Sequence, residues 1–350
     1  MKDLQKKNSF HHAFRRRPQL FPYGKKQGWQ TKQPTKSLVL SAGKILNGPS
    51  ETTSKTSSFD FTDFYKYGQA EHVAHIPKEF LEWFVGFFEG DGSLSSFATL
   101  DKRDGRRGTR LRVEIGQKEK NILQLIQKTF GFGNLRIDRR KNTIYWRWTV
   151  DSQQAIERIA FLLSGNLILP KRQKQFLDWI EAGQRKGMFK SFNRFKPWTS
   201  KISLQDSWLS GFIDAEGCFY AHYTDPKLPK TKGQLKQKIT LTQKDIEGGE
   251  RKIFQEIIVL FNSKQKIYIF SNLNNPSVFV RIELTALHTQ KVMIDYLTKY
   301  KLKTIKHISF CKWNFIYKYR QTKIYQSEKT LKKIRRLVSS LNIYSKNLYE

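Results

Sequence analysis

The sequence is poor in acidic residues relative to basic ones. It contains 30 Asp and Glu against 64 Lys and Arg, which leaves a formal net charge of +34. A compact chain with this excess of one sign repels itself unless an anionic partner binds. Nucleic acid is the commonest partner of that kind, an anionic membrane surface is the next, and charge kept for solubility alone is the remaining alternative.

Cysteine and long apolar runs are also scarce. Cys218 and Cys311 form no CxxC pair and have no His at metal-ligand spacing, which argues against a disulfide scaffold and a structural zinc site and fits a reducing compartment. No run of about 18 apolar residues occurs, so the sequence predicts no membrane span. Hydrophobic residues still make up 38% of the chain, enough to bury a core.

The composition divides the chain into five segments. The first 59 residues hold 12 Lys or Arg, two acids and no sustained period, as is typical of a flexible arm. Such an arm could contact nucleic acid, act as an organelle transit sequence, or have no role. The predicted segments are a basic N-terminal arm (1–75), a first unit (76–181), a linker (182–203), a second unit (204–320) and a basic C-terminal tail or helix (321–350).

An internal repeat decides the architecture. "WFVGFFEGDG", from Trp83 to Gly92, returns as "WLSGFIDAEG", from Trp208 to Gly217. Each copy is followed by an alternating strand, a Gln-Lys pair and a helical pattern, in "RVEIGQKEKNILQLIQKTFG" and "KITLTQKDIEGGERKIFQEIIVLF". The repeat predicts an α+β protein of two similar units, each reading helix, two strands, helix, two strands, helix.

The strands of the first unit follow from period-two alternation. In "NTIYWRWTV", Tyr145, Arg147 and Thr149 fall on one face, opposite Ile144 and two tryptophans. This pattern predicts a half-buried antiparallel strand with a polar, Arg-bearing face. The predicted strands are Ser93–Leu100, Arg110–Ile115, Asn134–Asp138 and Thr143–Val150.

The repeated stretch predicts two helices that pack against each other. Gly86 and Gly90 in the first copy, and Gly211 and Ala215 in the second, are four residues apart, and small residues at this spacing let two helix backbones approach closely. The pairing would bring both C-terminal ends together. We expect Pro77 in the first turn of one helix and Asp206 or Ser207 as the cap of the other.

Each predicted helix ends in two acids. Asp91 and Glu216 would meet at the helix ends, whereas Glu89 and Asp214, two residues earlier, would point elsewhere and cap or pair within the fold. Two carboxylates close to nucleic acid phosphates require cations between them, and oxygen ligands favour Mg²⁺. The last helix carbonyls, of Gly90 and Ala215, could add ligands. Packing alone is the alternative, but buried unpaired acids would be costly.

The two stretches "FVGFFEGDG" and "LSGFIDAEG" resemble the LAGLIDADG motif, and the doubled motif is similar to that of the monomeric LAGLIDADG homing endonucleases over about residues 76–320. The resemblance implies a saddle of two αββαββα units whose antiparallel sheets lie in the major grooves of a long double-stranded DNA target. It implies metal-dependent hydrolysis of both strands in a staggered cut across the minor groove.

The resemblance also implies roles for individual residues. Asp91 and Glu216 match the metal-binding acids, which would share two or more Mg²⁺ ions. Gln117 and Gln243 match the polar residue that positions water. A lysine late in each unit completes the family's site: Lys306 fits in the second unit, and Lys171, or Arg172 beside it, in the first. The first unit is out of step by one residue, which puts equal cutting of the two strands in doubt.

Outward sheet residues would read DNA bases. Counting strand residues by twos from the acids selects one face of each sheet, and a register shift of one residue would invert the choice. The candidates are Ser95, Phe97, Thr99, Arg110, Arg112, Arg136, Asp138, Tyr145 and Arg147, followed by Tyr220, His222, Thr224, Lys236, Lys238, Lys266, Tyr268 and Arg281.

Besides a nucleic-acid-binding protein without catalytic activity, two functions stay open at this point. The first is a monomeric, intron-encoded DNA endonuclease in a chloroplast or mitochondrion, as the resemblance implies. The second is an RNA-binding intron maturase of the same fold. A maturase has no need of Asp91 and Glu216, and both are present, which favours the nuclease.

Overall fold

A computed structural model describes residues 58–100, 107–140, 143–189, 196–226, 233–272, 275–322 and 327–342. After a π-helical turn (Phe64–Gly68), the first unit contains α1 (Lys78–Asp91), β1 (Gly92–Leu100), β2 (Arg107–Gln117), α2 (Lys120–Phe130), β3 (Asn134–Arg140), β4 (Thr143–Val150), α3 (Gln153–Leu163) and α4 (Pro170–Gln184). The second contains α5 (Trp208–Glu216), β5 (Gly217–Thr224), β6 (Gln234–Asp245), α6 (Gly249–Leu260), β7 (Tyr268–Asn272), β8 (Asn275–Leu284), α7 (Leu287–Lys299), α8 (Lys306–Thr322) and α9 (Glu328–Ser339).

The α+β repeat is confirmed. Each unit holds a four-stranded antiparallel sheet, ordered β1-β2-β4-β3 in the first and β5-β6-β8-β7 in the second. After its last strand the first unit has two helices, α3 and α4, and the second has three, α7 to α9. The sequence pattern predicts one such helix in each unit, apart from the C-terminal helix. The predicted strand Arg110–Ile115 is longer at both ends, since β2 runs from Arg107 to Gln117.

Period-two alternation explains why the sheets have one apolar face. In β2, Leu111, Val113 and Ile115 are buried, whereas Arg110 and Arg112, on the other face, are exposed and partly exposed. Each sheet therefore covers the core on one side and presents polar side chains on the other. The sheets position the site because β1 and β5 begin directly where α1 and α5 end.

α1 and α5 pack backbone against backbone, as the small residues predict. A Cβ added at Gly86 would lie 1.9 Å from the Trp208 carbonyl oxygen, and one at Gly211 would lie 1.8 Å from the Trp83 carbonyl oxygen. Only glycine permits this approach. Pro77 is the N-cap of α1, one residue before its first turn.

Glycine also ends α2. The helix presents an apolar face formed by Ile122, Leu123, Ile126 and Phe130, all buried. It stops at Gly131, whose φ of 73° is left-handed and whose N–H donates to the Gln127 carbonyl. This is the usual way in which glycine satisfies the last carbonyls of a helix.

The predicted flexible arm ends earlier than residue 75. Phe59, Phe61 and Phe64 are buried in the common core, because their spacing places aromatic rings against it. Lys196 Nζ, from the predicted linker, binds Asp60 at 2.8 Å. Residues 58–75 therefore belong to the folded body, and the rest of the predicted arm lies outside the described residues.

The predicted linker is also shorter than 182–203. Ala182 and Gly183 lie in α4 and are buried there, and Phe189 is buried as well. These residues pack because the apolar face of α4 continues to its end. Residues 190–195 lie outside the described part of the chain.

The predicted C-terminal helix is confirmed as α9. Ile334 and Leu341 are buried, and the Ser309 hydroxyl of α8 donates to the Leu341 carbonyl at 2.7 Å. The apolar residues at helical spacing thus dock the helix on α8. Among the described residues, no helix has the length and apolar character to cross a membrane.

Asp206, at the N-terminal end of α5, should make stability depend on pH. Burial, and next the nearby charge of Glu82, raise the pKa of Asp206 to about 7, against about 3.9 in an unfolded chain. The folded state therefore binds one proton more than the unfolded state between these values, and stability falls as pH rises from about 4 to about 7.

We expect Asp206→Asn to remove this dependence. The asparagine Oδ1 can still accept from the Trp208 N–H, as Asp206 does at 3.1 Å. Relative to the wild type, the free energy of unfolding of the variant should rise by a few kcal/mol between pH 5 and pH 8, measured by urea unfolding. Asp178→Asn, at an exposed residue of α4, is the control. Parallel stability curves for Asp206→Asn and the wild type would contradict the assignment.

Candidate active site

Asp91 and Glu216 end the two paired helices, and each directly precedes the first strand of its unit. A Cβ added at Gly90 would lie 2.3 Å from the Ala215 Cβ and 3.1 Å from the Glu216 Cγ. The last turns of the two helices are therefore in contact, and the Glu216 side chain lies beside the turn that carries Asp91. Both acids are partly exposed, as a site that meets a ligand requires.

Each acid is held by the glutamine predicted to accompany it. Gln117 Nε2 donates to Asp91 Oδ2 at 2.5 Å, and Gln243 Nε2 donates to Glu216 Oε1 at 3.1 Å. Gln117 is the last residue of β2, and Gln243 lies two residues before the end of β6. These strands pass close to the helix ends because they pair with β1 and β5, which begin there. The structure thus brings together two equivalent acid–glutamine pairs.

Lys306 lies where the repeat predicts it, at the start of α8. Its Nζ donates to the carbonyls of Ile213 at 3.2 Å and Ala215 at 3.0 Å. The charge neutralises the negative end of α5, next to Glu216.

In the first unit this position belongs to Arg172 and not to Lys171. Arg172 Nε donates to the Glu89 carbonyl at 2.9 Å, and Nη2 donates to the Gly90 carbonyl at 3.1 Å. Adjacent residues of a helix point about 100° apart, so Lys171 is directed away from these carbonyls and is buried. The choice of Lys171 is corrected to the alternative, Arg172.

Glu89 and Asp214 are buried and bonded within the fold, as expected for the first acid of each pair. Glu89 Oε2 accepts from Trp208 Nε1 at 2.6 Å, and Asp214 Oδ2 accepts from Trp83 Nε1 at 2.9 Å. Burial raises the pKa of Glu89 to about 7 and also raises the pKa of Asp214. The first acid of each helix thus accepts a hydrogen bond from the tryptophan of the other helix. This contact of Trp83 was not predicted from the sequence; the repeat of Trp at the same place in both copies was the available signal.

The donor set fits Mg²⁺ that keeps water and phosphate oxygens among its ligands. In the described ranges, no three His, Cys, Asp or Glu side chains form a ready metal cage. Mg²⁺ usually takes one or two carboxylates, and waters and substrate phosphates complete its shell. The carbonyls of Gly90 and Ala215, also proposed as ligands, each accept a bond from Arg172 or Lys306.

The strand register places the candidate DNA-reading residues on one face of each sheet. Ser95 pairs with Arg112, and Arg136 pairs with Arg147, so each pair shares a face. The first-sheet members of this face are Ser95, Phe97, Thr99, Arg110, Arg112, Arg136, Asp138, Tyr145 and Arg147, and the second-sheet members are Tyr220, His222, Thr224, Lys236, Lys238, Tyr268 and Arg281.

Two of the candidate DNA-reading residues, Lys266 and Thr99, differ from the others. Lys266 precedes β7 and so lies outside the strand in which it was expected, because β7 begins at Tyr268. The side chain of Thr99, near the end of β1, lies outside the described part of the structure.

Several of the basic side chains on these faces are oriented by acids. Arg147 binds Asp138, with Nη2 at 2.6 Å from Oδ2, and also binds Glu114. Lys238 Nζ lies 2.7 Å from Glu283 Oε1. Such pairs fix long side chains in one direction, which lowers the entropy they lose when they bind a ligand.

The family model of the LAGLIDADG endonuclease matches the chain twice, over residues 84–183 and 209–317. "Probable intron-encoded endonuclease 4" of Neurospora crassa is 30% identical over 237 residues, which cover 67% of this chain but 39% of that protein. The "uncharacterized cox1 intron-2 37.2 kDa protein" of Schizosaccharomyces pombe is 24% identical over 86% of this chain and 84% of that one.

Solved structures share the fold. A crystal structure of the I-LtrWI LAGLIDADG homing endonuclease bound to target DNA aligns with a TM-score of 0.59 and 18% identity, over 75% of this chain and 98% of that chain. I-SmaMI bound to uncleaved DNA target in the presence of calcium ions aligns with a TM-score of 0.54 and 17% identity, over 75% and 98%.

Proposed function

Because the chain belongs to the LAGLIDADG endonuclease family, we propose that it is a site-specific endonuclease that hydrolyses both strands of a long double-stranded DNA target with divalent metal. One observation carries the proposal: two partly exposed acids stand at the touching ends of paired helices, each with a glutamine and a cation. We call each acid, together with its glutamine and its cation, a half-site. Both half-sites come from one chain, so a monomer suffices.

In the proposed mechanism the outward sheet faces bind the duplex in its major grooves, and the helix ends approach the minor groove. Asp91 and Glu216 would hold divalent metal, which when bound supplies a Lewis acid for phosphodiester hydrolysis. Gln117 and Gln243 fix the carboxylates and would orient water beside them. Arg172 and Lys306 hold the helix carbonyls and offset the phosphate charge. One acid per strand gives a staggered double cut.

The names of the relatives indicate where the protein is encoded and where it acts. Their names describe intron-encoded endonucleases and a protein of a cox1 intron, and cox1 introns are mitochondrial. We therefore propose that this protein is encoded in an organelle intron and acts in the mitochondrion; the chloroplast is the alternative.

Cleavage of a randomised plasmid library with Mg²⁺, followed by sequencing of the cut ends, tests the function. We expect one long site with staggered ends. Nicks in a single strand would show that one of the two half-sites does not cut. Binding of structured RNA without any cleavage would contradict the nuclease and favour the intron maturase of the same fold.

DNA affinity should depend steeply on salt. The outward faces carry many Lys and Arg side chains, and each phosphate contact releases a counterion when DNA binds. We expect affinity for the target to fall by roughly 10³-fold or more between 50 and 200 mM salt, measured by fluorescence anisotropy in Ca²⁺. A slope near zero would contradict phosphate-dominated binding.

A further inference from the structure

Two short segments carry the cationic side chains of the site, Arg172 and Lys306, and each segment is also bonded to the opposite unit. We call residues 168–172 and 303–306 the cation segments. The N–H of Lys171, just before Arg172, donates to Glu250 Oε1 of the second unit at 3.0 Å. The N–H of Ile305, just before Lys306, donates to Glu119 Oε2 of the first unit at 2.9 Å. The arrangement is therefore reciprocal.

Each cation segment is also bonded to the paired helix of its own unit, α1 in the first and α5 in the second. Glu89 accepts from the N–H of Leu169 at 2.6 Å, and Asp214 accepts from the N–H of Lys303 at 2.7 Å. These bonds fix where a segment begins. The bond to the opposite unit lies closer to the cation, at the preceding residue, and so bears most directly on where Arg172 or Lys306 points.

The two glutamates occupy comparable places in their units. Glu119 is the N-cap residue of α2, and Glu250 lies in the first turn of α6. Each follows the strand that carries a site glutamine, which is Gln117 at the end of β2 and Gln243 two residues before the end of β6. Gln117 holds Asp91 of the first half-site, and the nearby Glu119 holds the cation segment of the second. Gln243 and Glu250 have the reciprocal roles.

Burial and packing make the Glu250 contact rigid. Glu250 is fully buried, and its second oxygen accepts from the Ile246 N–H at 2.8 Å. A Cβ added at Gly249 would lie 3.0 Å from the Pro170 Cβ, so the two units touch beside the bond. The bond from Lys171 is buried and the bond from Ile305 is partly buried. An N–H that loses its acceptor away from water is costly, so we expect the segment to move when either carboxylate is removed.

We propose that Glu119 and Glu250 are positioning residues that act across the unit boundary. Glu119 positions Lys306, and Glu250 positions Arg172, so each half-site depends on the unit that carries the other half-site. The proposal rests on the proposed nuclease function and deepens it, since it explains how one chain can couple the cutting of two strands.

Strand-resolved cleavage tests the proposal. The duplex target carries a different fluorophore on each strand, and single-turnover nicking rates are measured for both strands. We expect Glu119→Ala to slow one strand about tenfold relative to the other. Glu250→Gln replaces one of two accepting oxygens with a donor. It should slow the other strand instead, so that the ratio of the two nicking rates changes in the opposite direction. Glu119→Gln keeps an accepting oxygen for Ile305 and should restore the wild-type ratio.

Glu157→Ala is the matched control, because the Glu157 carboxylate accepts from Gln153 of its own helix; its strand ratio should equal that of the wild type. Equal slowing of both strands by Glu119→Ala, or a bias toward the same strand in both variants, would overturn the proposal.

Hydrogen exchange separates failure of this proposal from failure of the nuclease assignment. If the wild type cuts no DNA, the proposed function fails, but the contact can still be judged in the folded protein. Glu119→Ala should speed exchange in residues 303–308 about tenfold and leave residues 168–172 unchanged. Exchange equal to that of the wild type in both regions would overturn the positioning role.

Discussion

Asp91→Asn and Glu216→Gln are each expected to abolish double-strand cleavage and to leave DNA binding nearly intact. The carboxylate charge is what would hold a divalent metal, and the metal supplies several kcal/mol of transition-state stabilisation. The cleavage rate of the plasmid target should therefore fall by about a thousandfold or more. The amide variants keep an oxygen that can accept from Gln117 or Gln243, so the local structure should persist.

Binding separates the role of the acids in chemistry from a role in folding. Loss of one negative charge beside the phosphates removes a repulsion, so affinity measured by anisotropy should be unchanged or slightly tighter. Glu181→Gln is the control, since Glu181 is exposed and pairs with Arg185 of its own helix; it should cut at the wild-type rate. If either acid variant still linearises the plasmid at that rate, the site assignment is wrong.

The parts of this site that could be predicted are those set by local periodicity. Strand side chains alternate with period two, so counting from the acids placed Arg112 and Lys238 on the correct faces. Small residues four apart defined the touching faces of α1 and α5. The repeat itself located the glutamines, because Gln117 and Gln243 hold the same place in their strands.

The parts that could not be predicted depend on contacts between distant residues. The bonds from Trp83 to Asp214 and from Ile305 to Glu119 join residues far apart in the chain, and no local pattern encodes them. The choice between Lys171 and Arg172 stayed open because a shift of one residue rotates a helix position by about 100°, and the sequence did not fix the start of α4. The packing of Phe59 against the core was missed for the same reason.

Gly211→Ala is expected to disrupt the fold strongly, because among the described glycines this is where an added Cβ would lie closest to another atom. The new Cβ would lie 1.8 Å from the Trp83 carbonyl oxygen and 2.8 Å from the Phe87 nitrogen. Both are backbone atoms of α1, so no side chain can rotate away and the helices must separate. That separation would break the Trp83–Asp214 and Trp208–Glu89 bonds and move the acids apart.

The expected loss is about 3 kcal/mol or more of the free energy of unfolding, although alanine is the better helix former. Urea unfolding measures it, and Gly116→Ala is the control because a Cβ at Gly116 meets nothing within 4 Å. An unchanged unfolding midpoint for Gly211→Ala would contradict the backbone contact.

The same geometry explains why the residue four positions after Gly86 is Gly90, whereas the residue four positions after Gly211 is Ala215. Gly90 and Ala215 face each other across the helix pair, and a Cβ at Gly90 would lie 2.3 Å from the existing Ala215 Cβ. The space holds one methyl group, not two. Gly90→Ala should therefore destabilise the wild type, but the double variant Gly90→Ala with Ala215→Gly should recover most of the loss. Additive effects of the two changes, measured in the same urea unfolding experiment, would show that the methyl groups do not share one space.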